Sequence, residues 1–510
     1  MKPVVSTLLD RAADLYGSQR ALVTADTELT FVELRDRVNR FSSGLESLGV
    51  GRGQAVVLHL PNSWQWVVAY HAIARLGAVI VPANILLSAA EVAYLATDSE
   101  AMLLIAPSDR VEGISALIDD ADARKIKSIG VGGNDTTYDL LLQSPPRVAV
   151  EVEPDDLVAI AYTSGTTGKP KGAMLAHRSV YLSTALFATT NVRTPADRVI
   201  TALPLPHVYG NIVMNAGLMS GATVILLDRF TAQSAFHAIA DHRATIFDGV
   251  PTMYYQMLSS PEMRNFDLSS LRCCTVGGQT MPIANIIAVE REFGCPLLEL
   301  WGMTEVAGPA ISHSPYAQGP SGSIGVPYST MEARIVDLFD ASKTLPPGEA
   351  GELMVRGPLV MKGYWRNSEA TASTLTDDGW LYTGDIGYRD GDGHLFIVDR
   401  KKDLIITAGY NIYPAELEQV LAAHPDVSMA AVVSVPDAEK GELAKAFVVL
   451  KAGAKSEAAD ILAHCRTNLA AYKVPRIIEF VADLPRTSTG KILRRALRSE
   501  ADPTSKPSTE

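Results

Sequence analysis

Residues 158–173 read Val-Ala-Ile-Ala-Tyr-Thr-Ser-Gly-Thr-Thr-Gly-Lys-Pro-Lys-Gly-Ala, the densest run of reactive side chains in the chain. Thr163, Ser164, Thr166 and Thr167 supply hydroxyl donors, and Lys169 and Lys171 supply positive charge. Gly165, Gly168 and Gly172 lack Cβ atoms, so the backbone can bend and turn its N–H groups toward an anion. That set suits a polyphosphate. It is not a Walker A loop, because Pro170 stands five residues after Gly165 and follows Lys169 where Ser or Thr is required. The plainer alternative is a solvated hairpin, but four hydroxyls, three glycines and two lysines seldom share ten residues.

Other stretches carry chemistry of their own. In Trp301-Gly302-Met303-Thr304-Glu305 the indole offers a face for a purine, and a hydroxyl follows. The Glu305 carboxylate suits Mg²⁺ shared with phosphate oxygens. Asp385 follows a Gly turn, as a carboxylate that binds vicinal ribose hydroxyls does. His207 and Tyr209 lie just past a predicted strand, where ligands of α/β sheets bind, although His207 could simply cap the helix that follows. Gly277-Gly278-Gln279-Thr280 ends another strand, and its two glycines admit a flat group. Lys491 sits on a Gly-containing loop.

The elements that position these residues follow from hydrophobic period. Around 157–177 the pattern is strand, loop, strand, helix. Thr30 and Glu33 form a capping box for a helix to about Leu48. Apolar runs at 54–60, 78–82, 102–106, 199–203, 244–250, 272–276 and 297–302 alternate with helical stretches. This predicts an α/β protein of mostly parallel sheets flanked by helices. Asn62 and Asn84 read as turn residues. Residues 323–400 are β-rich, and the charged Arg400-Lys401-Lys402-Asp403 marks a boundary. Beyond it come strand 404–407, turn 408–411, helix 414–423, strands 427–435 and 444–450, helix 458–469 and strand 477–481, a small α+β unit. The plan is a large N-terminal domain at 1–400, a hinge at 401–402, a mobile domain at 403–500 and a disordered tail at 501–510.

Composition narrows the class. At 47 % hydrophobic and 20 % charged, the 510 residues describe an ordinary globular protein of more than one domain. A net charge of −12 without a long basic run argues against a nucleic-acid partner. Cys273, Cys274, Cys295 and Cys465 show no metal or redox spacing, so free thiols in a reducing compartment are expected. Met1–Leu9 lacks a signal-peptide pattern, and no apolar stretch reaches about 18 residues. A cytoplasmic monomer or homodimer without a membrane span is the expectation.

Taken together, the loop at 163–171, Trp301-Gly302-Met303-Thr304-Glu305, Asp385, Arg400 and Pro485-Arg486-Thr487-Ser488-Thr489-Gly490-Lys491 resemble the motifs of the adenylate-forming superfamily. That superfamily holds acyl-CoA synthetases, adenylation domains of peptide synthetases and firefly luciferase. The likeness spans about residues 8 to 498. Trp301 stands where Tyr is more usual, and Gln279 and Thr280 where many members carry small residues. The resemblance implies ATP bound by Thr163–Lys171, Gly278, Gln279, Trp301–Thr304, Asp385 and Arg400, with Mg²⁺ near Glu305 and Thr166. It makes Lys491 the catalytic lysine, aided by Thr304, Glu305 and His207, and Lys402 the hinge. Gly409 and Tyr410 would line the CoA tunnel.

The implied acyl pocket comprises His207, Tyr209, Val213, Gly277, Met303, Val306 and Ala310. It is mostly apolar with no obvious buried cation, which favours a neutral-tailed monocarboxylate over a dicarboxylate. The expected function is an ATP-dependent carboxylate–CoA ligase acting on a medium- or long-chain fatty acid. Alternatives are an aryl or cinnamate-type acid, or a carrier protein as acceptor. A silent nucleotide-binding protein is the rival of another class, and the intact Lys491, Asp385, Arg400 and Glu305 speak against it.

Overall fold

Short β-branched runs and the amphipathic helices between them build two helix-flanked sheets, a small β unit and a C-terminal α+β unit. The computed structural model describes residues 2–121, 126–135, 137–163, 170–408, 410–437, 439–486 and 492–501. The six-stranded sheet runs Lys127–Val131, Leu103–Pro107, Ala55–Leu58, Val79–Pro82, Leu157–Thr163 and Lys171–Ala176. All neighbours are parallel except the last pair, the hairpin that carries the phosphate-type loop. Its central strands are apolar throughout because both faces are covered: Val56 and Leu58 enter one core, Ala55 and Val57 another.

The nine-stranded sheet has a parallel centre, Leu297–Met303, Cys273–Val276, Ile246–Gly249, Arg198–Thr201, Thr223–Leu226 and Arg20–Val23. Antiparallel strands close both edges. Helix Phe31–Ser47 starts at the predicted capping box, with Thr30 and Glu33 exchanging backbone and side-chain bonds. Helix Trp64–Arg75 is apolar nearly all round and is buried accordingly.

Strands Glu332–Val336, Gly351–Arg356, Leu381–Arg389 and Leu395–Arg400 form the antiparallel β unit. After Arg400 the chain enters a sheet of Tyr410–Ile412, Ile405–Thr407, Gly441–Leu450, Val427–Asp437 and Ile477–Phe480. That unit owns a separate core built from Ile405, Leu417, Val432, Ala446 and Ile461.

Three expectations need correction. Tyr410 and Asn411 are strand residues paired with Thr407 and Ile406, so the turn is shorter than 408–411. Asn62 does more than turn the chain. Its amide donates to the carbonyls of Leu203 (3.0 Å) and Leu227 (3.1 Å), and its oxygen accepts from Leu205 N–H (3.0 Å). It thereby staples the turn after strand Ala55–Leu58 of the six-stranded sheet to the loop before His207 and to the end of strand Thr223–Leu226 in the nine-stranded sheet. Ala501 closes helix Arg494–Ala501 instead of opening a tail, and 502–510 lie outside the described residues. All four cysteines are buried free thiols. Among the described residues, no helix is long and apolar enough to cross a membrane.

Candidate active site

Strand Leu157–Thr163 delivers Thr163 to the start of the phosphate-type loop, and Lys171 opens the return strand. Ser164, Gly165, Thr166, Thr167, Gly168 and Lys169 lie outside the described residues. The return strand is braced by residues 361–365: Met174 N–H donates to Gly363 O (2.9 Å) and Trp365 N–H to Gly172 O (2.7 Å). This brace brings in Tyr364, a residue that sequence patterns did not single out. Lys171 Nζ lies 5.5 Å from the Tyr364 ring centre, and the Tyr364 hydroxyl donates to Glu305 Oε1 (2.8 Å). Lys171, Tyr364 and Glu305 therefore form one file.

Glu305 is buried at the 3₁₀ turn Thr304–Val306, directly after strand Leu297–Met303. Burial raises its pKa, while the Tyr364 hydroxyl and Arg400 oppose that rise. A buried carboxylate so placed fits a magnesium ion completed by phosphate oxygens. Among the described residues, no group of three or more His, Cys, Asp or Glu could hold a metal alone. The turn is tight enough to require a glycine: a Cβ on Gly302 would stand 2.1 Å from Gly308 O.

Two distant motifs meet at Asp385. The Trp301 indole N–H donates to Asp385 Oδ2 (2.7 Å), and Arg400 Nε pairs with Asp385 Oδ1 (3.2 Å). Asp385 and Arg400 face each other because strands Leu381–Arg389 and Leu395–Arg400 pair in that register. Trp301 thus uses its edge to hold a carboxylate in addition to offering a face.

Lys491 lies outside the described residues, as does Gly409. The residue after Lys491 is placed: Ile492 N–H donates to Gln279 Oε1 (3.1 Å), joining the C-terminal unit to the loop that follows strand Cys273–Val276. Lys402 is exposed at its side chain, and partial desolvation, then Arg400, lowers its pKa. Beside it, Asp399 accepts from Ala415 N–H (2.8 Å) and so caps helix Pro414–Ala422 across the boundary. Burial pushes the Asp399 carboxyl up to about 6, with Arg494 opposing. Tyr410 is exposed and pairs its ring with Tyr472 at 4.9 Å. Among the described residues, no hydrogen bond ties Tyr410 to the nucleotide side.

The acyl side differs from expectation. His207 does cap helix Val208–Met219, its Nδ1 accepting from Tyr209 N–H (3.3 Å). Val213, Val306 and Ala310 are buried, Met303 partly so, and a Cβ on Gly277 would strike the Leu300 side chain. Tyr209 is tied into a polar wall. Its hydroxyl donates to Thr275 Oγ1 (2.6 Å), and Thr275 in turn donates to Asp248 Oδ1 (2.5 Å). Arg193 Nη2 binds both Asp248 oxygens (2.7 and 2.9 Å), and both side chains are fully buried. A buried cation is present after all. Arg193 sits in the loop after helix His177–Thr190, where an arginine reads as solvated, so no sequence signal marked it.

Comparison with known proteins fits this geometry. The AMP-binding enzyme family model matches residues 9–365, and that of the AMP-binding enzyme C-terminal domain matches 416–491. The chain is 34 % identical to a long-chain-fatty-acid–CoA ligase of Bacillus subtilis, over 98 % of this chain and 94 % of that one. It is 38 % identical to a feruloyl-CoA synthase of an Amycolatopsis species, over 96 % and 97 %. The solved structure of anthranilate CoA ligase AuaEII with anthranoyl-AMP superposes with a TM-score of 0.92 at 31 % identity, covering 98 % of this chain and 99 % of that chain. The chain belongs to the AMP-binding enzyme family, as an ATP-dependent ligase that joins a carboxylic acid to CoA through an acyl-AMP.

Proposed function

We propose that the acid is a compact, ring-bearing monocarboxylate of the aryl or cinnamate type. The observation that carries this reading is the buried polar chain Tyr209–Thr275–Asp248–Arg193, which meets the candidate acyl pocket at Tyr209. A long alkyl chain would need that end to be apolar or open. The feruloyl-CoA synthase and anthranilate CoA ligase likenesses lean the same way. A medium- or long-chain fatty acid is the second reading, supported by the apolar Val213, Val306 and Ala310 and by the Bacillus subtilis relative.

The residue roles follow from the chemistry. A carboxylate is a poor acyl donor because its oxygen leaves badly. Its attack on the α-phosphate of ATP makes a good leaving group, but loads negative charge onto an anionic phosphate. Fixed cations aimed at that charge are the main device. Lys491 is the candidate, with Thr163 to Lys171 holding the departing pyrophosphate. Magnesium, when bound, neutralises phosphate charge, and Glu305 is its holder, kept in place by Tyr364. Asp385, steadied by Trp301 and Arg400, is set to take the ribose hydroxyls. In the second half-reaction the thiol of CoA displaces AMP, and the unit after Lys402 turns to bring Gly409 and Tyr410 to the pantetheine. The separate cores on either side of Arg400 support domains at 1–400 and 403–500. Four buried free thiols suit a reducing cytoplasm.

The test is pyrophosphate release across aryl, fatty and dicarboxylic acids, each with and without CoA. Turnover that needs CoA and prefers ring acids is expected. Preference for fatty acids would support the second reading, and release unaffected by CoA would point to a carrier protein.

A further inference from the structure

The units on either side of Lys402 meet across a loose interface. Two clefts, of about 250 and about 310 Å³, lie between them, one lined by Ile283 and Val420, the other by Tyr255 and Met429. An interface so incompletely packed does not fix the orientation of two units by itself, and relative motion is then the default. Individual polar contacts decide which orientation holds. Among the described residues few bridge the two units. Ile492 N–H meets Gln279, and Ala415 N–H meets Asp399.

Asp399 lies on strand Leu395–Arg400, which pairs with Leu381–Arg389, so it belongs to the unit before Lys402. Its side chain points away from that of Arg400, which turns to Asp385 on the other face of the strand. Beyond the N–H of Arg400, its partners come from the unit after Lys402. Oδ2 takes the Ala415 N–H at 2.8 Å, one of the free donors in the first turn of helix Pro414–Ala422. Oδ1 lies 3.9 Å from Arg494 Nη1. Arg494 is clamped within its own unit by both oxygens of Glu418 (2.9 and 2.7 Å) and faces Asp403 at 3.5 Å. With side-chain exposures of 1 % for Asp399 and 19 % for Arg494, salt and water screen this cluster little.

Lys402 stands three residues after Asp399, and Arg494 three residues after Lys491. A turn about Lys402 carries Ala415 and Arg494 off a carboxylate that stays behind, and carries Ile492 off Gln279. The two contacts form and break together, and the one to a charged group is the stronger. We propose that Asp399 is a positioning residue for adenylation: its carboxylate latches helix Pro414–Ala422 and Arg494, and so holds the second unit in the orientation in which Ile492 meets Gln279. Release of this latch admits the thioester-forming orientation. The assignment rests on the reading that the unit after Lys402 turns between the half-reactions.

The experiment measures the two half-reactions of the full chain separately, with cinnamic acid and with decanoic acid. Adenylation is followed in single turnover without CoA, and thioester formation from the supplied acyl-AMP with CoA. Each rate scales with the share of molecules in its orientation, so the ratio of thioester rate to adenylation rate reads the orientation equilibrium. Asp399→Ala should raise that ratio about tenfold or more, the worth of a bond to a charged group. Asp399→Asn keeps an oxygen for Ala415 N–H and should raise it less. General loss of folded protein lowers both rates together and cannot raise the ratio. Should Asp399→Ala fail to fold, Asp399→Asn decides. An unchanged ratio overturns the inference; if the KM for ATP rises instead, Asp399 acts through Arg400. Spin labels on Ser269→Cys and Thr467→Cys, exposed sites of the two units in a chain whose own cysteines are buried, test the turning itself. Two distance populations whose balance Asp399→Ala shifts support the latch. Two populations that the substitution leaves alone overturn the latch and spare the turning. One distance with ATP, acyl-AMP or CoA alike overturns both.

Discussion

The nucleotide half and the acid half of the site are built differently. On the nucleotide side, contiguous motifs at strand ends meet one another directly: Trp301 with Asp385, Asp385 with Arg400, Tyr364 with Glu305. Every one of these contacts joins residues that the family resemblance assigns to the nucleotide or its metal, or a neighbour that braces them. On the acid side the partners come singly from four separate segments, at Arg193, Tyr209, Asp248 and Thr275, and their bonds run inward. The first arrangement answers a charge that develops in the same place whatever the acid. The second answers the outline of one substrate. Damage to the first half should therefore slow all acids alike, and damage to the second should re-rank them.

Lys491→Ala is the most severe way to press that distinction. Adenylation should fall about 10²–10³-fold, equally for every acid tried. The same protein should still convert supplied acyl-AMP and CoA to thioester, as read by quenched-flow assays of each half-reaction. Parallel loss of both steps in folded protein would contradict the two-role assignment of the lysine. Trp301→Phe is milder. It keeps a ring face and deletes the indole N–H on Asp385, a bond to a charged group worth about 1.5–3 kcal/mol. The KM for ATP should rise about tenfold while the ratio between any two acids stays fixed. A change in acid ranking would blur the boundary between the halves.

The same contrast explains what could be read from sequence. The alternation of apolar runs with helical stretches placed the central strands it named to within about two residues, because strands covered on both faces must be apolar, but it passed over Arg20–Val23, Lys127–Val131 and Thr223–Leu226. Asp385, Glu305 and Trp301 were legible because glycines and turns beside them leave little else for such side chains to do. Tyr364 was not, since its role exists only through the brace between 361–365 and the phosphate hairpin. Asp399, one residue before the charged boundary, was not singled out, because its cap on Ala415 depends on how two units pack. Arg193 is the starkest case. Nothing local tells an arginine in a loop from one sealed against Asp248 across 55 residues of chain.

Gln279 stands where the halves touch. Its amide oxygen accepts from Ile492 N–H, next to Lys491, and Gly277 and Gly278 of the candidate acyl and nucleotide sites stand just before it in the chain. Gln279→Leu should lower the kcat of adenylation about fivefold, the worth of one ordinary hydrogen bond, without altering thioester formation from supplied acyl-AMP. Gln279→Glu keeps an acceptor and should retain most of the rate. Loss expressed only as a raised KM for the acid would instead make Gln279 a pocket wall.

The smallest effect is expected at Glu299, two residues before Trp301 on the same strand. Its carboxylate accepts from Gly322 N–H (2.9 Å) and has no ion-pair partner among the described residues, unlike Asp385. Burial raises its pKa from 4.5 to about 8, the Gly322 bond opposing. Between those two values the folded protein keeps a proton that the unfolded chain releases, so stability must fall as pH rises through that window. The contribution is whole below the lower value and gone above the upper one. Glu299→Gln cannot ionise, so its Tm should decline less than that of the wild type between about pH 5 and about pH 8.5, with ATP affinity and acid ranking untouched. Identical slopes would mean that the Glu299 carboxylate is stabilised as an anion in the fold. The nucleotide half would then reach further down this strand than the pairing of Trp301 with Asp385.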